Sequence, residues 1–256
     1  MKKWAIILGG SSGIGLATAK KLGQQGYNLI IAHRDRRSDL EQINAHFEEI
    51  RQSNVHVEAL NFDATNQEKI AEYLGQIKEL IGKDQIAILV HGISRGNLKP
   101  LVGNQRLSAQ DLHLTIDAMA LSLQHWVNQL MDVNLLTEGS TIVTLSSAGN
   151  EKIWPGYAAV GMAKSTMETL SKYLAVELAE KGIRVICVKA GITDTPSLKM
   201  IPGYDQLKKH AASRNPSGRM TEPGDVANAI YILTLPEAKW ITGSIIHVDG
   251  GEHLIG

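Results

Sequence analysis

The sequence predicts an α/β fold, a doubly wound parallel sheet of about seven strands with helices on both faces. Three observations carry this prediction. Apolar runs of strand length alternate with amphipathic stretches of helix length along the whole chain of 256 residues. The runs are continuously apolar, as in parallel sheets that are covered on both faces. A glycine-rich loop joins the first strand directly to the first helix. No linker rich in Gly, Pro or Ser interrupts the pattern, so we expect a single domain over residues 1–256.

The predicted elements follow one another regularly. Strands are expected at residues 5–8, 28–32, 55–61, 86–90, 140–145, 184–189 and 244–248, and helices at about 13–25, 39–52, 66–81, 107–135, 155–180 and 222–235. The segment 192–220 breaks this rhythm, because it contains three prolines and only one short helical patch, at 205–212. It leaves the carboxyl end of the sixth strand, the edge at which doubly wound sheets bind ligands, so we expect it to be a substrate lid.

The loop after the first strand has a specific glycine pattern. Gly9 permits a sharp turn, Gly13 lets the backbone approach a diphosphate, and Gly15 allows the helix to pack closely on the strand. The amides and dipole of the helix N-terminus favour phosphate. This context predicts a Rossmann-type dinucleotide site; the alternative is a purely structural turn. We assign to the site Gly9, Ser11, Ser12, Gly13, Ile14 and Gly15.

The end of the second strand indicates which cofactor is preferred. A carboxylate at this position selects NAD(H) by binding the ribose 2′-hydroxyl, whereas an arginine accommodates the 2′-phosphate of NADP(H). Here His33 and Arg34 follow the strand, with Arg36 and Arg37 close behind, although Asp35 reduces the positive charge. We therefore predict NADP(H) in preference to NAD(H), with Arg34 as its ligand. The alternative is a solvated basic turn.

Composition excludes several other classes of protein. Lys plus Arg and Asp plus Glu both number 26, and no basic run of the kind found in nucleic-acid binders is present. The N-terminal apolar stretch is too short for a signal peptide or membrane span. The single cysteine, Cys187, lies in a predicted strand and is expected to be a buried thiol. None of the nine histidines forms a helical i,i+4 ligand cluster with a glutamate, so no metal site is predicted. We expect a soluble cytoplasmic protein.

Three segments together resemble the short-chain dehydrogenase/reductase family over essentially the whole chain. They are the glycine loop, a Tyr-Lys segment at 157–164 and the Val-Asp-Gly-Gly sequence at 248–251. The resemblance implies a seven-stranded Rossmann sheet, a nicotinamide cofactor, and catalysis by Asn, Ser, Tyr and Lys. Leu8 stands where the family's glycine motif has Thr. The family is usually homotetrameric, built through two long helices, which predicts the same assembly here through 107–135 and 155–180.

The Tyr-Lys segment departs from the ordinary family spacing. Members usually have Tyr-x3-Lys, but Val160 stands four residues before Lys164, and the tyrosine, Tyr157, stands seven before it. This Tyr-x6-Lys spacing resembles the enoyl-acyl-carrier-protein reductases. On a helix both positions share one face, so Tyr157 still points into the pocket, about one turn further out. In enoyl reduction hydride goes to the β-carbon, two bonds beyond the carbonyl carbon, and charge develops on the thioester oxygen as an enolate, a longer geometry that suits a displaced donor. We expect Lys164 to bind the nicotinamide ribose and to lower the pKa of Tyr157 by its charge.

Two further catalytic positions follow from the resemblance. Ser147 matches the family's catalytic serine and is expected to hold a carbonyl oxygen; a strand-end cap is the alternative. Met119 occupies the position of the active-site asparagine, so a proton relay through that residue is in doubt.

The remaining predicted cofactor contacts lie at the ends of three strands. Asp63, with Ala64 beside it, matches an adenine-contacting aspartate, although a helix cap near Thr65 is the alternative. In the Val-His-x-Ile sequence His91 is expected to be mainly structural, while Ile93 lies against the adenosine ribose. The cofactor-binding set therefore continues with Asp63, Ala64, His91, Gly92, Ile93, Lys164, Ile192 and Thr193.

Three functions remain open at this point. The first is an NADPH-dependent reductase of the 2,3 double bond of enoyl thioesters, with Tyr157, Lys164 and Ser147 as catalytic residues. The second is an NADP(H)-dependent carbonyl or 3-oxoacyl reductase, or an alcohol dehydrogenase. The third is an NADP(H)-binding regulatory protein without activity, which Met119 and Val160 suggest. An acyl thioester of acyl-carrier protein or coenzyme A is the expected partner. The lid also contains candidates to line an acyl channel, with a loop that packs on its own sheet as the alternative: Leu198, Met200, Ile201, Tyr204 and Leu207.

Overall fold

The computed structural model describes residues 2–255, except the side chain of His210. Its centre is a seven-stranded sheet in the order β3-β2-β1-β4-β5-β6-β7, and every pair of neighbouring strands is parallel. The strands are β1 Lys3–Leu8, β2 Asn28–His33, β3 Val57–Asn61, β4 Gln85–His91, β5 Thr141–Ser147, β6 Arg184–Ala190 and β7 Ile245–Val248. The predicted α/β sheet is confirmed.

Nine α-helices connect the strands within the described residues. They are α1 Gly13–Gln24, α2 Leu40–Arg51, α3 Gln67–Ile81, α4 Ala109–Ile116, α5 Ser122–Asp132, α6 Ala158–Glu177, α7 Pro196–Lys199, α8 Tyr204–Arg214 and α9 Pro223–Leu233. None of the described helices is long and apolar enough to cross a membrane.

The alternating side chains of each strand divide the core into two layers. Ile6 and Leu8 of β1 face one cluster, which contains Trp126 of α5, whereas Ala5 and Ile7 face the other, which contains Phe47 of α2. Because both sheet faces are covered by helices, both faces of the strands must be apolar, which is the pattern seen in the sequence. β1 lies between β2 and β4, so the strand order reverses between β1 and β4. The buried core holds the carboxyl ends of these two strands side by side at that point.

The long helix predicted over 107–135 is interrupted. A π-helical turn, Asp117–Leu121, separates α4 from α5 and contains Met119. Such turns occur often at functional sites, since they shift the side chains that follow. The helix predicted from residue 155 begins only at Ala158, because Pro155 and Gly156 form a turn before it, and Gly156 has a φ of 76°. Tyr157 is therefore the N-cap residue of α6 rather than part of its first turn.

Candidate active site

One large cleft opens at the carboxyl ends of the strands. Its volume is about 1420 Å³, more than the ~300–1,000 Å³ that a single small ligand occupies, which leaves space for a dinucleotide and a second reactant. Parallel strands bring their carboxyl ends to one edge, so residues distant in sequence meet there. The cleft is lined by almost all of the predicted site residues, namely Gly9, Ser11, Ser12, Gly13, Ile14, Gly15, Arg34, Asp63, Ala64, Gly92, Ile93, Ser147, Tyr157, Lys164, Ile192 and Thr193.

The glycine loop forms a cradle that side chains would fill. Gly9 has a φ of 84°, and a Cβ there would lie 2.8 Å from the Gly92 carbonyl oxygen. A Cβ on Gly15 would overlap the Gly9 carbonyl oxygen. The Ser12 side chain, at the N-cap of α1, makes no capping hydrogen bond to the first turn. The first turn thus presents its amides to the cleft, an arrangement that suits a diphosphate.

Asp63 organises the end of the cleft at which the sequence predicts adenosine contacts. Its Oδ1 accepts hydrogen bonds from the backbone amide and hydroxyl of Thr65, at 3.1 and 2.6 Å. Its Oδ2 accepts one from Arg34 and one from Arg95, both at 2.9 Å. Burial alone would raise the pKa of this carboxyl, but the Thr65 hydrogen bonds and the two guanidinium charges hold it below its usual value. Asp63 does not cap α3, because Asn66 does so by accepting from the Lys69 amide.

Arg95 was not singled out by the sequence. It follows Ile93 in an irregular loop after β4, and only the folded chain brings it to the same carboxylate oxygen as Arg34. The Arg34 and Arg95 side chains remain 56% and 53% exposed, so both can turn toward a ligand. His33, in contrast, is buried, and its Nδ1 lies 2.8 Å from Asp35 Oδ2.

Tyr157 and Ser147, two of the predicted catalytic residues, line another part of the cleft. The Tyr157 ring packs on Gly149, where a Cβ would overlap the ring. Burial raises the pKa of the Tyr157 phenol, and the Ser147 hydroxyl beside it opposes part of that increase. The Ser147 oxygen is buried and makes no well-formed hydrogen bond to another protein atom. Two polar groups therefore face the cleft with hydrogen-bonding capacity to spare, as a site for a developing oxyanion requires.

Lys164 lies deeper than the tyrosine. Its ammonium donates a 2.7 Å hydrogen bond to the Leu145 carbonyl oxygen, and the residue is 8% exposed. Burial lowers its pKa to about 8, against the opposing influence of Cys187 and Glu168. The expectation that Lys164 lowers the pKa of Tyr157 is wrong for this structure: that pKa is raised by burial, and the group that opposes the rise is Ser147.

An apolar wall occupies the positions at which most members of the resembled family have their catalytic tyrosine and asparagine. Val160, Met119 and Ala163 form a small buried cluster, and Tyr157 packs against it. Met119 is 1% exposed and Val160 is 5% exposed. Neither side chain can donate or accept a proton, so no relay passes through these two positions.

Two predicted residues lie outside the cleft wall. His91, assigned to the cofactor set, is buried beneath it, with Nε2 2.8 Å from the Ser122 hydroxyl. Burial and the Lys164 charge lower its pKa to about 3, so the ring is neutral and structural. Tyr204 is not among the residues that line the cleft, and its hydroxyl donates to Asp194 Oδ1 at 3.0 Å. The other four candidates do line the cleft: Leu198, Met200, Ile201 and Leu207.

Glu252 is a residue of the site that the sequence did not indicate. It is 4% exposed, lies near the C-terminus, and its carboxylate accepts the backbone N–H of Ile192 at 3.1 Å. Its own carbonyl oxygen accepts a hydrogen bond from Lys152. It thereby fixes the start of the segment after β6. No local pattern predicts this contact, because it joins the chain across 60 positions.

The sheet order, the glycine cradle at the strand switch point and the Tyr157–Lys164 pair define an NAD(P)H-dependent oxidoreductase of the short-chain dehydrogenase/reductase class. Residues 9–253 match the family model adh_short_C2, described as Enoyl-(Acyl carrier protein) reductase, and the chain belongs to this family.

Individual relatives include two kinds of reductase. The enoyl-[acyl-carrier-protein] reductase [NADH] FabI of Bacillus subtilis is 33% identical over 193 residues, which cover 75% of this chain and 73% of the relative. The 3-oxoacyl-[acyl-carrier-protein] reductase FabG of Staphylococcus epidermidis is 27% identical over 99% of this chain and 100% of its own. Among solved structures, the enoyl-[acyl-carrier-protein] reductase (NADH) of Aquifex aeolicus superposes with a TM-score of 0.86 at 27% identity, over 99% of this chain and 97% of its own.

Proposed function

We propose that the protein reduces the 2,3 double bond of an enoyl thioester with NADPH. The observation that carries this proposal is the position of Tyr157, before α6 and above an apolar wall that contains Val160 and Met119. This arrangement removes the polar groups at the positions used by ordinary carbonyl-reducing members and leaves a single phenol further out in the cleft.

When bound, NADPH supplies a hydride to the β-carbon of the substrate. Tyr157 holds a proton at its phenol oxygen, because burial raises its pKa. It donates this hydrogen to the thioester oxygen, where charge develops as an enolate, and Ser147 assists with its buried hydroxyl. Lys164 orients the ribose beside the nicotinamide. The α-carbon then takes one proton from solvent while the enol hydrogen returns to the Tyr157 oxygen, so that one hydride and one proton have been added across the double bond.

The substrate channel that we propose runs under the segment 192–220. Leu198 and Leu207 are 8% exposed and line the cleft, while Met200 is 74% exposed at its mouth. The Trp154 indole N–H donates to the Pro202 carbonyl oxygen at 2.8 Å and thus ties this segment to the loop before Tyr157. An apolar channel of this kind suits an acyl chain, carried by acyl-carrier protein or coenzyme A, and the segment acts as its lid.

A substrate panel tests the reaction. Wild-type protein is assayed for NADPH oxidation with crotonyl and longer 2-enoyl thioesters, and separately with a 3-oxoacyl thioester and simple ketones. We expect turnover of the enoyl thioesters, reduced ~10²–10⁴-fold by Tyr157→Phe. Tyr173→Phe, on an exposed tyrosine of α6, is the matched control and is expected to retain full activity.

Turnover of the 3-oxoacyl thioester without any enoyl turnover would instead support carbonyl reduction, the function named for the Staphylococcus relative. Cofactor binding without turnover on either panel would support the regulatory alternative.

The assembly that we propose is a homotetramer in the cytoplasm. Exposed apolar residues lie on the helices that the family resemblance assigns to the interfaces, namely Leu114, Leu121, Met162 and Val176. Packing these side chains between subunits would remove apolar surface from water. Light scattering on the eluted protein measures the subunit number directly.

A further inference from the structure

The turn after β7 brings three metal-ligating side chains together at the C-terminal edge of the sheet. Gly250 and Gly251 have φ angles of 61° and 86°, which reverse the chain and place His253 against His247. The two imidazole centroids lie 4.0 Å apart, and Asp249 sits below both. Because a turn forms this cluster, its histidines do not have the i,i+4 spacing of ligands on one helix.

The distances between the donor atoms are those of a compact metal site. Asp249 Oδ2 lies 2.7 Å from His253 Nδ1 and 3.8 Å from His247 Nδ1, and all three residues have ligand atoms within 4.8 Å of one another. A tetrahedral zinc ion with bonds of about 2.0–2.2 Å holds its ligands roughly 3.3 Å apart. The two distances from Asp249 lie on either side of this value, so the three residues are close enough to share one ion once an imidazole has turned.

The carboxylate is already held in place by the backbone. Its Oδ1 accepts the Gly251 N–H at 3.0 Å, and its Oδ2 accepts the His253 N–H at 2.9 Å. Its side chain is 8% exposed, whereas those of His247 and His253 are 30% and 31% exposed. Hydrogen bonds of this kind orient a ligand before the ion arrives. The exposed imidazoles leave an open path for the ion and a fourth position for water.

His253 and Asp249 share a hydrogen bond beneath the two imidazole rings. The rings are nearly stacked, 4.0 Å apart and tilted by only 30°, so their in-plane lone pairs run side by side and do not meet at one ion as they stand. One imidazole must rotate about its Cβ–Cγ bond, and their partial exposure permits this. Two imidazoles and one carboxylate form a donor set that suits zinc and other first-row divalent ions better than Mg²⁺.

We propose that His247, Asp249 and His253 form a binding site for zinc or a similar divalent transition-metal ion, separate from the reaction site. The bound ion would stabilise the turn that contains Glu252. Because Glu252 accepts the Ile192 N–H, this turn supports the wall of the cleft, and ion binding would make that wall more rigid.

Calorimetric titration of zinc into chelator-treated protein, purified without a histidine tag, tests the site. We expect one ion per chain and a higher melting temperature with zinc. His247→Gln and His253→Gln should each weaken binding at least ~10-fold, since loss of even an outer-shell partner costs that much. His56→Gln is the matched control, because His56 is an exposed histidine 3.5 Å from Glu58.

Absence of zinc binding by the wild type at about 100 µM, or equal affinity of the wild type and both ligand variants, would overturn the proposal. Circular dichroism of each variant establishes that it has folded. The test does not depend on turnover, so its failure leaves the proposed reductase activity standing, and the converse also holds.

Discussion

The ring of Tyr157 lies directly on the Cα of Gly149, in a space that any side chain at position 149 would occupy. The pair joins the turn that follows Ser147, the last residue of β5, to the start of α6, the helix that contains Lys164. The position of the phenol thus depends on a glycine that has no chemistry of its own.

Gly149→Ala is expected to move the Tyr157 ring and to lower turnover ~10²-fold while leaving cofactor binding near normal, because a displacement of about 1 Å at a reacting group has effects of this size. Overpacking should also destabilise the fold by ~1–3 kcal/mol. Steady-state kinetics, cofactor fluorescence titration and urea unfolding measure the three quantities. Gly75→Ala in α3 is the control: a Cβ there meets nothing within 4 Å, so it should raise stability by ~0.5–1 kcal/mol without a change in turnover.

The activity is expected to fall as the pH rises through about 8, where Lys164 loses its proton. Below that pH its ammonium can hold ribose hydroxyls, and above it the charge is absent. A profile of kcat/KM between about pH 6 and 10 shows whether this limb exists. A flat profile through this range would contradict a charged Lys164 at the cofactor.

The low pKa of Lys164 affects stability in the opposite direction, because it favours folding as the pH rises. Its pKa is about 8 in the folded protein, against the ordinary lysine value of 10.5 that applies to the unfolded chain, so above pH 8 the unfolded chain binds more protons than the folded one. The contribution of Lys164 therefore favours folding increasingly as the pH rises from about 8 to 10.5. Lys164→Met should abolish this increase, which denaturant titrations at several pH values would detect.

Arg34→Ala and Arg95→Ala are each expected to lower kcat/KM for NADPH ~10-fold or more and to change kcat/KM for NADH little, because each removes a guanidinium able to pair with the 2′-phosphate. Both side chains already meet at one oxygen of Asp63. Arg106→Ala removes an exposed arginine whose guanidinium contacts the Gly103 carbonyl oxygen, and it should leave both cofactors unaffected. Equal losses with NADH and NADPH would show that the two arginines do not select the phosphate.

Lys189→Met is expected to destabilise the protein by ~3–5 kcal/mol, because it leaves the carboxylate of Glu168 buried without its cation. The Lys189 side chain is 2% exposed and its ammonium lies 2.9 Å from Glu168 and 2.5 Å from Glu151. The double variant Lys189→Met, Glu168→Met removes both charges and should recover much of the loss. Lys20→Met, which breaks an exposed pair with Glu49, should have a far smaller effect in the same urea titration.

Many of the residues that line the cleft can be predicted from local sequence patterns. The apolar runs located all seven strands, because a parallel strand covered on both faces is apolar along its length. The spacing in the glycine loop predicts a tight turn, and Gly9 and Gly13 do have positive φ angles, 84° and 54°. The number of residues between Tyr157 and Lys164 could be counted directly. The start of α6 was misplaced, since the turn at Gly156 has no helical or strand period.

Local patterns in the sequence are enough to predict the parallel strands, the glycine loop and the spacing between Tyr157 and Lys164, since each depends on residues close together in the chain. The folded chain adds contacts that these patterns do not contain: Arg95 joins Arg34 on Asp63, and Glu252 supports Ile192. It also decided that the Tyr157 pKa rises rather than falls, because burial is a property of the packed chain. Contacts across tens of residues leave no periodic signal, and the electrostatic environment of a side chain exists only once its neighbours have been brought around it.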